Sequence, residues 1–344
     1  MNEEGIQMCV ITPVPSNFDE KSKFKVIRLK MPIRLGFNLN FFEPLILILK
    51  ERPKLIHFSG PAIVDFILMP ICKMLGYPVV ITFHGQFNNK LVRVISNFII
   101  PITYKSANLI IVETDRDRKY LINRHVEVYK IKKFIFNGVE RSKFKCQNNR
   151  EEYVNKSRPI RLIFIGGLSS SRPYKGYDLL IDMFIKIRNY DISPTPELTV
   201  VGDGDRLNEM RRKSDGIDYI HFKGRLDDNE MLNEICGSDM LILPSKSDGE
   251  GFGIVALEVL SCNKPVIVSK YAGIAELVSK YKVGMVYDPW DIDGAIKILI
   301  EINSNRELIN FFKENINSMF DSENLSKDDS IRDTIKIYEE ILDY

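Results

Sequence analysis

Ser238-Asp239-Met240-Leu241-Ile242-Leu243-Pro244-Ser245, followed by Glu250-Gly251-Phe252-Gly253-Ile254-Val255-Ala256-Leu257-Glu258, is the stretch that decides the fold. Its first part reads as a short buried strand closed by a proline, because a run without a polar position has no face to offer water. From Ile254 to Leu260 apolar residues recur at helical spacing, so the order is strand, glycine turn, helix. In that order the first free amides of the helix point toward the carboxyl end of the strand. There the unpaired N–H groups and the positive end of the helix dipole can hold an anion. Glu250 stands on the turn and Glu258 one to two turns into the helix, each with a carboxylate able to accept bonds from hydroxyl groups. Two solvated glutamates at the start of a surface helix are the plainer alternative.

The same alternation of short apolar runs and longer helical stretches extends over almost the whole chain. Strands are expected at Met8–Ile11, Lys54–Phe58, Val79–Phe83, Leu109–Val112 and Ile131–Phe136. A second set is expected at Arg161–Ile165, Leu198–Val201, Ile220–Phe222, Met240–Leu243, Val266–Ser269 and Gly284–Tyr287. Fully apolar strands separated by helices imply parallel sheets covered on both faces, with the ligand crevice at the carboxyl ends of the strands. The polar stretch Cys146 to Arg158 reads as the seam between two Rossmann-like α/β domains, residues 1–150 and 151–325. Residues 326–344 add a last helix with apolar positions at Ile331, Ile335, Ile337, Tyr338, Ile341 and Leu342.

A length of 344 residues suits two domains, each able to bury a core. A formal charge of +2 gives no case for a nucleic-acid partner. Five widely spaced cysteines without a Cys-x-x-Cys pair argue for a reducing compartment and against a zinc site or a disulfide frame. The polar start, Met1 to Gln7, does not read as a signal peptide, and runs such as Leu45–Leu49 and Phe98–Ile102 are too short to cross a bilayer. The expectation is a cytoplasmic protein. The stretch Asn89–Lys105 places Leu91, Val94, Ile95, Phe98, Ile99 and Ile102 on one helical face, with Lys90, Arg93 and Lys105 around it. A core-facing helix is the preferred reading. Peripheral contact with acidic lipid at the inner membrane face is the second.

Phosphate-holding amides between two readers of hydroxyls describe a site for a nucleotide-sugar. The block around them resembles the retaining glycosyltransferases of family 4 (glycosyl transferases group 1), whose Glu-x7-Glu signature matches Glu250 and Glu258. Pro265-Val266-Ile267-Val268-Ser269 and Ala272-Gly273-Ile274-Ala275-Glu276 continue the resemblance, as do Val200-Val201-Gly202-Asp203-Gly204 and Phe222-Lys223-Gly224-Arg225-Leu226. The resemblance implies a GT-B fold, two facing Rossmann-like domains with parallel sheets, and a terminal helix that crosses back onto the first domain. It also implies a nucleotide-diphosphate-sugar donor, a glycan or lipid-linked acceptor, cell-surface polysaccharide or glycoconjugate assembly as the setting, and no metal or other cofactor.

The resemblance assigns roles residue by residue. Lys175, in Gly166-Gly167-Leu168-Ser169-Ser170-Ser171-Arg172-Pro173-Tyr174-Lys175-Gly176, matches the lysine that holds the donor diphosphate. The family's arginine position falls on Gly167, with Arg172 as a substitute. The amides of Gly251, Phe252 and Gly253 would hold the diphosphate and sugar, Glu258 the ribose hydroxyls and Glu250 the hexose hydroxyls. The backbone near Gly224 and Arg225 resembles the place where the family seats the base, and Gly204 and Leu226 join the expected nucleotide-sugar-binding residues. His84, in Thr82-Phe83-His84-Gly85, matches a histidine near the reacting sugar, whereas His57 reads as structural. Asp115-Arg116-Asp117, Asp203-Gly204-Asp205 and Asp291-Ile292-Asp293 read as incidental rather than as metal triplets.

One departure stands out. The family begins with a strand and a glycine-rich loop, and here the start reads as that pattern's second strand, with the first strand and its loop missing. A nucleotide-sugar epimerase of the same fold and a catalytically silent sugar-nucleotide scaffold are the rival readings.

Overall fold

The computed structural model describes residues 7, 9–12, 25–28, 42–60, 64–85, 90–146 and 157–343. It divides into two compact units: residues 1–136 with 329–344, and residues 137–328. The division therefore comes at residue 137, ahead of the polar seam, and again at 329.

The first unit opens with β1 (Cys9–Thr12) and β2 (Lys25–Arg28), a parallel pair that forms its own two-stranded sheet. Then follow α1 (Phe42–Glu51), β3 (Ile56–Gly60), α2 (Asp65–Met74), β4 (Val79–Phe83), α3 (Lys90–Lys105), β5 (Leu109–Val112), α4 (Asp115–Ile122) and β6 (Ile131–Lys133). β3 to β6 make a parallel four-stranded sheet in sequence order. Side chains alternate across it as a strand requires. Val79, Ile81 and Phe83 enter a core with Leu68, Met69, Ile100 and Tyr104. Val80 and Ile111 instead face Ile337, Tyr338 and Ile341 of the terminal helix.

Three expectations are corrected here. β2 was not expected at all. The run Ile131–Phe136 keeps the ladder only to Lys133, after which Phe134 and Phe136 pack against the terminal-helix cluster. In α3 part of the expected core face is exposed: Phe98 and Ile102 stand at 75% and 72% and Ile99 is half-buried, while Ile100, Thr103 and Tyr104 are buried. Side chains at positions 91, 94 and 95 lie outside the described residues.

The second unit runs β7 (Arg161–Ile165), α5 (Tyr177–Ile187), β8 (Glu197–Val201), α6 (Leu207–Lys213), β9 (Ile220–Gly224), α7 (Asp228–Gly237), β10 (Met240–Leu243), α8 (Ile254–Ser261), β11 (Val266–Ser269), α9 (Ala275–Tyr281), β12 (Gly284–Tyr287), α10 (Ile292–Ser304) and α11 (Glu307–Ser322). α12 (Lys327–Leu342) leads into the terminal segment of the first unit. The six strands are all parallel in the order β12-β11-β10-β7-β8-β9, the doubly wound arrangement. β10 is buried at all four positions, which is why its sequence is an unbroken Met-Leu-Ile-Leu. α5 buries Tyr177, Leu180, Ile181, Phe184 and Ile187, the i, i+3, i+4 stripe of a core-facing helix, against Leu162, Phe164 and Ile296. α7 starts on a capping box between Asp227 and Glu230.

The cysteine reading is also corrected: Cys146 and Cys236, 90 residues apart, are joined in a disulfide. Linear spacing could not reveal a pair that joins a loop residue to the last turn of α7.

Candidate functional site

In the second unit the strand order reverses between β7 and β10, so the loops that leave these two strands splay apart at the carboxyl end of the sheet. A crevice at such a switch point is where open α/β sheets bind ligands. The loop after β7 carries Gly167, Arg172 and Lys175, and the loop after β10 carries Ser245, Glu250 and the glycine turn. The two loops are fastened together. Gly176 sits at φ +70°, and a Cβ there would come within 1.8 Å of the Pro244 carbonyl oxygen. The Lys246 amide donates to the Tyr174 carbonyl at 2.8 Å, and Lys246 Nζ pairs with Asp178 at 2.6 Å.

That closure brings Lys175 and Glu250 into contact. Lys175 Nζ donates to Glu250 at 2.9 Å, and Ser245 Oγ donates to the other carboxylate oxygen at 3.0 Å. Glu250 is only 5% exposed, so its charge needs these partners. Sequence reasoning gave Lys175 and Glu250 separate duties and gave Ser245 none. The signal for Ser245 was present, a hydroxyl on the residue after the strand-ending proline, but its partner is known only once the turn is folded.

The turn ends at Gly253, φ +90°, which opens α8. Among the described residues, the amides of Gly251, Phe252 and Gly253 donate to no backbone carbonyl, while the carbonyls of Gly251 and Phe252 accept from Gly273 and Ile274. The turn is thus pinned by its oxygens and leaves its N–H groups for a ligand. Glu258 lies on the second turn of α8, half-buried. Burial, with a smaller contribution from the Asp228 charge, pushes its carboxyl up to about 7. Among the described residues no group hydrogen-bonds to this carboxylate, so it is a desolvated acceptor without an internal donor.

The loop after β7 is also braced from β8. A Cβ on Gly202 would fall 1.9 Å from the Gly166 carbonyl oxygen, and one on Gly204 2.3 Å from that of Leu168. Asp205 accepts from the Ser170 amide at 2.9 Å and from its hydroxyl, and these bonds hold the Asp205 carboxyl down to about 2. Arg172 is exposed and lies over Gly167, whose Cβ position is 3.8 Å from Nη1. Arg172 thus lies beside Gly167, the position that matches the family's arginine. Arg225, exposed, and Leu226, half-buried, follow Gly224 at the carboxyl end of the edge strand β9.

The Asp-x-Asp triplets have local employment. Thr114 caps Asp117, Asp115 pairs with Lys133, Asp203 accepts from the Gly204 amide, Asp291 caps α10, and Asp293 pairs with Lys186 and Tyr190.

In the first unit His84 follows β4. Its amide donates to the Gly60 carbonyl at 2.9 Å, Nε2 lies 3.0 Å from Ser59 Oγ, and Nδ1 lies 3.6 Å from the buried Glu113 carboxylate. Neither Ser59 nor Glu113 was singled out from the sequence, since Ser59 sits on β3 and Glu113 just after β5, the two strands that flank β4. His57 is held between Tyr338 Oη at 2.6 Å and Thr82 Oγ1 at 2.7 Å. Burial, and after it the neighbouring His84, lowers its pKa to about 4, as befits a neutral packing histidine.

Comparison with known proteins bears on the family and the fold. The family model for glycosyl transferases group 1 matches residues 146–319, just over half of the chain, and that for glycosyltransferase family 4 matches residues 1–143. The sulfoquinovosyl transferase SQD2 of Arabidopsis thaliana is 23% identical over 299 residues, which are 81% of this chain and 56% of that protein. The chain thus spans little more than half of that relative. A crystal structure of a glycosyltransferase from Rickettsia africae superposes with a TM-score of 0.73 at 18% identity, covering 99% of this chain and 92% of that one. Anabaena HepE in complex with UDP superposes with a TM-score of 0.69 at 16% identity, covering 88% of this chain and 82% of that one. With its family-model match, its two parallel-sheet α/β units and its Glu250/Glu258 pair at the switch point, the chain belongs to the glycosyl transferases group 1, on the GT-B fold.

Proposed function

We propose that this chain is a retaining, metal-independent transferase that moves a sugar from a nucleotide-diphosphate-sugar to an acceptor hydroxyl. The observation that carries the reading is the meeting of Lys175, Glu250 and the free amides of Gly251, Phe252 and Gly253 at one switch point. The diphosphate would lie against those amides and Lys175, with Arg172 closing from the side. Glu258 would accept from the ribose hydroxyls, and the donor would divide the Lys175–Glu250 pair, leaving Glu250 for the hexose hydroxyls. His84 would serve the reacting sugar, the backbone near Gly224 and Arg225 the base, and Gly204 and Leu226 would join the nucleotide-sugar site.

In the transfer step the bond between the anomeric carbon and the phosphate oxygen breaks as negative charge builds on the diphosphate. Fixed cations and helix amides stabilise that charge. The acceptor oxygen attacks from the face the phosphate leaves, and its proton passes to the phosphate oxygen, so no protein nucleophile is required. UDP in HepE supports a nucleotide donor of this kind. The acceptor class we favour is a glycan or lipid-linked glycan of cell-surface polysaccharide or glycoconjugate assembly. The exposed Phe98 and Ile102 of α3 support peripheral contact with a lipid surface.

The test is donor turnover in the presence of a chelator, across UDP-, GDP- and ADP-sugars, with the anomeric configuration of the product read by NMR. Turnover with retained configuration is expected. An inverted product, or activity that returns only with added divalent metal, would contradict the mechanism.

A further inference from the structure

Cys146, Cys236 and Cys262 come from distant parts of the chain and meet at one point of the second unit. Their three sulfur atoms all lie within 4.8 Å of one another. Cys146 and Cys236 form the disulfide, with their Cα atoms 5.5 Å apart, and Cys262 is a free, buried thiol beside them. Cys236 lies in the last turn of α7, and Cys262 caps the carboxyl end of α8, opposite the amides at its start. Cys146 and Cys236 are half-buried, which leaves the cluster open to solvent on one side.

A zinc ion bound at about 2.3 Å by sulfurs at the corners of a tetrahedron sets those sulfurs about 3.8 Å apart. Three sulfurs already gathered inside 4.8 Å therefore need only small side-chain movements to share an ion. We propose that, when the Cys146–Cys236 bond is reduced, the three cysteines form a binding site for a thiophilic divalent cation, zinc in the first place. A donor set made of sulfur alone selects zinc over magnesium or calcium, which take oxygen ligands.

The chemistry balances with a dithiol reductant. It passes two electrons and two protons to the disulfide and becomes a disulfide itself, which leaves Cys146 and Cys236 as thiols. Entry of the cation then displaces one proton from each of the three thiols, and water fills the fourth corner. One divalent ion with three thiolates carries a net charge of −1. The Lys264 ammonium lies next to it, buried and donating to the carbonyls of Cys236 and Ser238, both at 2.8 Å. That fixed cation offsets the charge of the metal cluster. The disulfide and the metal exclude one another, so the site reports the redox state of its surroundings.

The full chain, reduced with a phosphine and freed of metal, is titrated with cobalt(II) and then with zinc. One equivalent of cobalt with thiolate-to-cobalt charge-transfer absorption, displaced by one equivalent of zinc, is the expected result. Cys262→Ser should lower the affinity by about 100-fold or more, since even outer-shell changes cost 10–100-fold. Cys9→Ser, at an exposed position in the other unit, should leave it unchanged. Should Cys262→Ser not fold, Cys146→Ser and Cys236→Ser, at half-buried positions, are expected to show the same loss. A reduced chain that takes up no cobalt would overturn the proposal. So would cobalt binding that survives in all three cysteine variants, because Cys262 would then be only a thiol packed beside a disulfide.

Discussion

At the scale of single residues, Glu258 makes the stability of the protein depend on pH. Its carboxyl is raised to about 7 by burial, against an unfolded value near 4.3. As pH rises between those values the unfolded chain loses the proton first, so stability falls across that window and stays reduced above it. Glu258→Gln keeps the shape and removes the charge. It should be more stable than the parent at pH 8, by roughly 1–3 kcal/mol, with the gain shrinking toward pH 5. Thermal denaturation at the two pH values reads this directly. For the Lys175–Glu250 pair, removing a charge is expected to destabilise. Lys175→Ala strands a buried carboxylate and should cost about 3 kcal/mol, much of it recovered by adding Glu250→Gln. A double-mutant cycle in denaturant gives the coupling; additive losses would show that the pair is not formed. Both glutamates and Lys175 were legible in the sequence as individual residues. Their pairing was not, because it links positions 75 apart through a turn whose closure no local pattern encodes.

At the scale of elements, the glycines decide whether the loops can meet. Gly176 combines a left-handed backbone with a carbonyl oxygen where a Cβ would go. Gly176→Ala should therefore cost more than the ~1–3 kcal/mol of backbone strain alone, and should loosen the loops after β7 and β10 together. Reduced stability with weakened nucleotide binding is the expected pair of results; unchanged stability would mean that the loops are not in contact. The elements themselves were largely readable. Runs such as Met240–Leu243 and Val266–Ser269 are apolar because they are buried on both faces, and the stripe of α5 repeats as a helix must. The failures came where one pattern served two structures. β2 is four residues long with a charged residue at each end, which alternation does not separate from a loop. The face of α3 holding Phe98 and Ile102 looked like a core stripe, yet Ile100 and Tyr104, on the other side, are the residues buried against Leu68 and Phe83.

At the scale of the whole molecule, each unit holds its own core among the described residues, a further cluster joins the four-stranded sheet to the terminal helix, and the chain returns to the first unit through its final segment. The parallel sense of the sheets followed from composition and alternation, whereas the separate two-stranded sheet of β1 and β2 did not. The exchange of the terminal helix, held by the Tyr338–His57 contact, came from the family resemblance, and the sequence boundaries fell some residues from the structural ones. The disulfide was hidden, since cysteine spacing does not show that the segment at Cys146 meets the end of α7. A nucleotide bound at the switch point stabilises the second unit by mass action. At 100 times its dissociation constant it contributes about 2.7 kcal/mol, or roughly 5–10 °C for a unit of this size. The measurement to make is therefore thermal unfolding with UDP, GDP and ADP, with and without magnesium, on the wild type and on Glu258→Ala. A shift from one nucleotide that needs no magnesium and falls by about 10–100-fold in affinity in the variant is the expected result. An equal shift in the variant would contradict the assignment of Glu258, and no shift from any nucleotide would contradict the donor site itself.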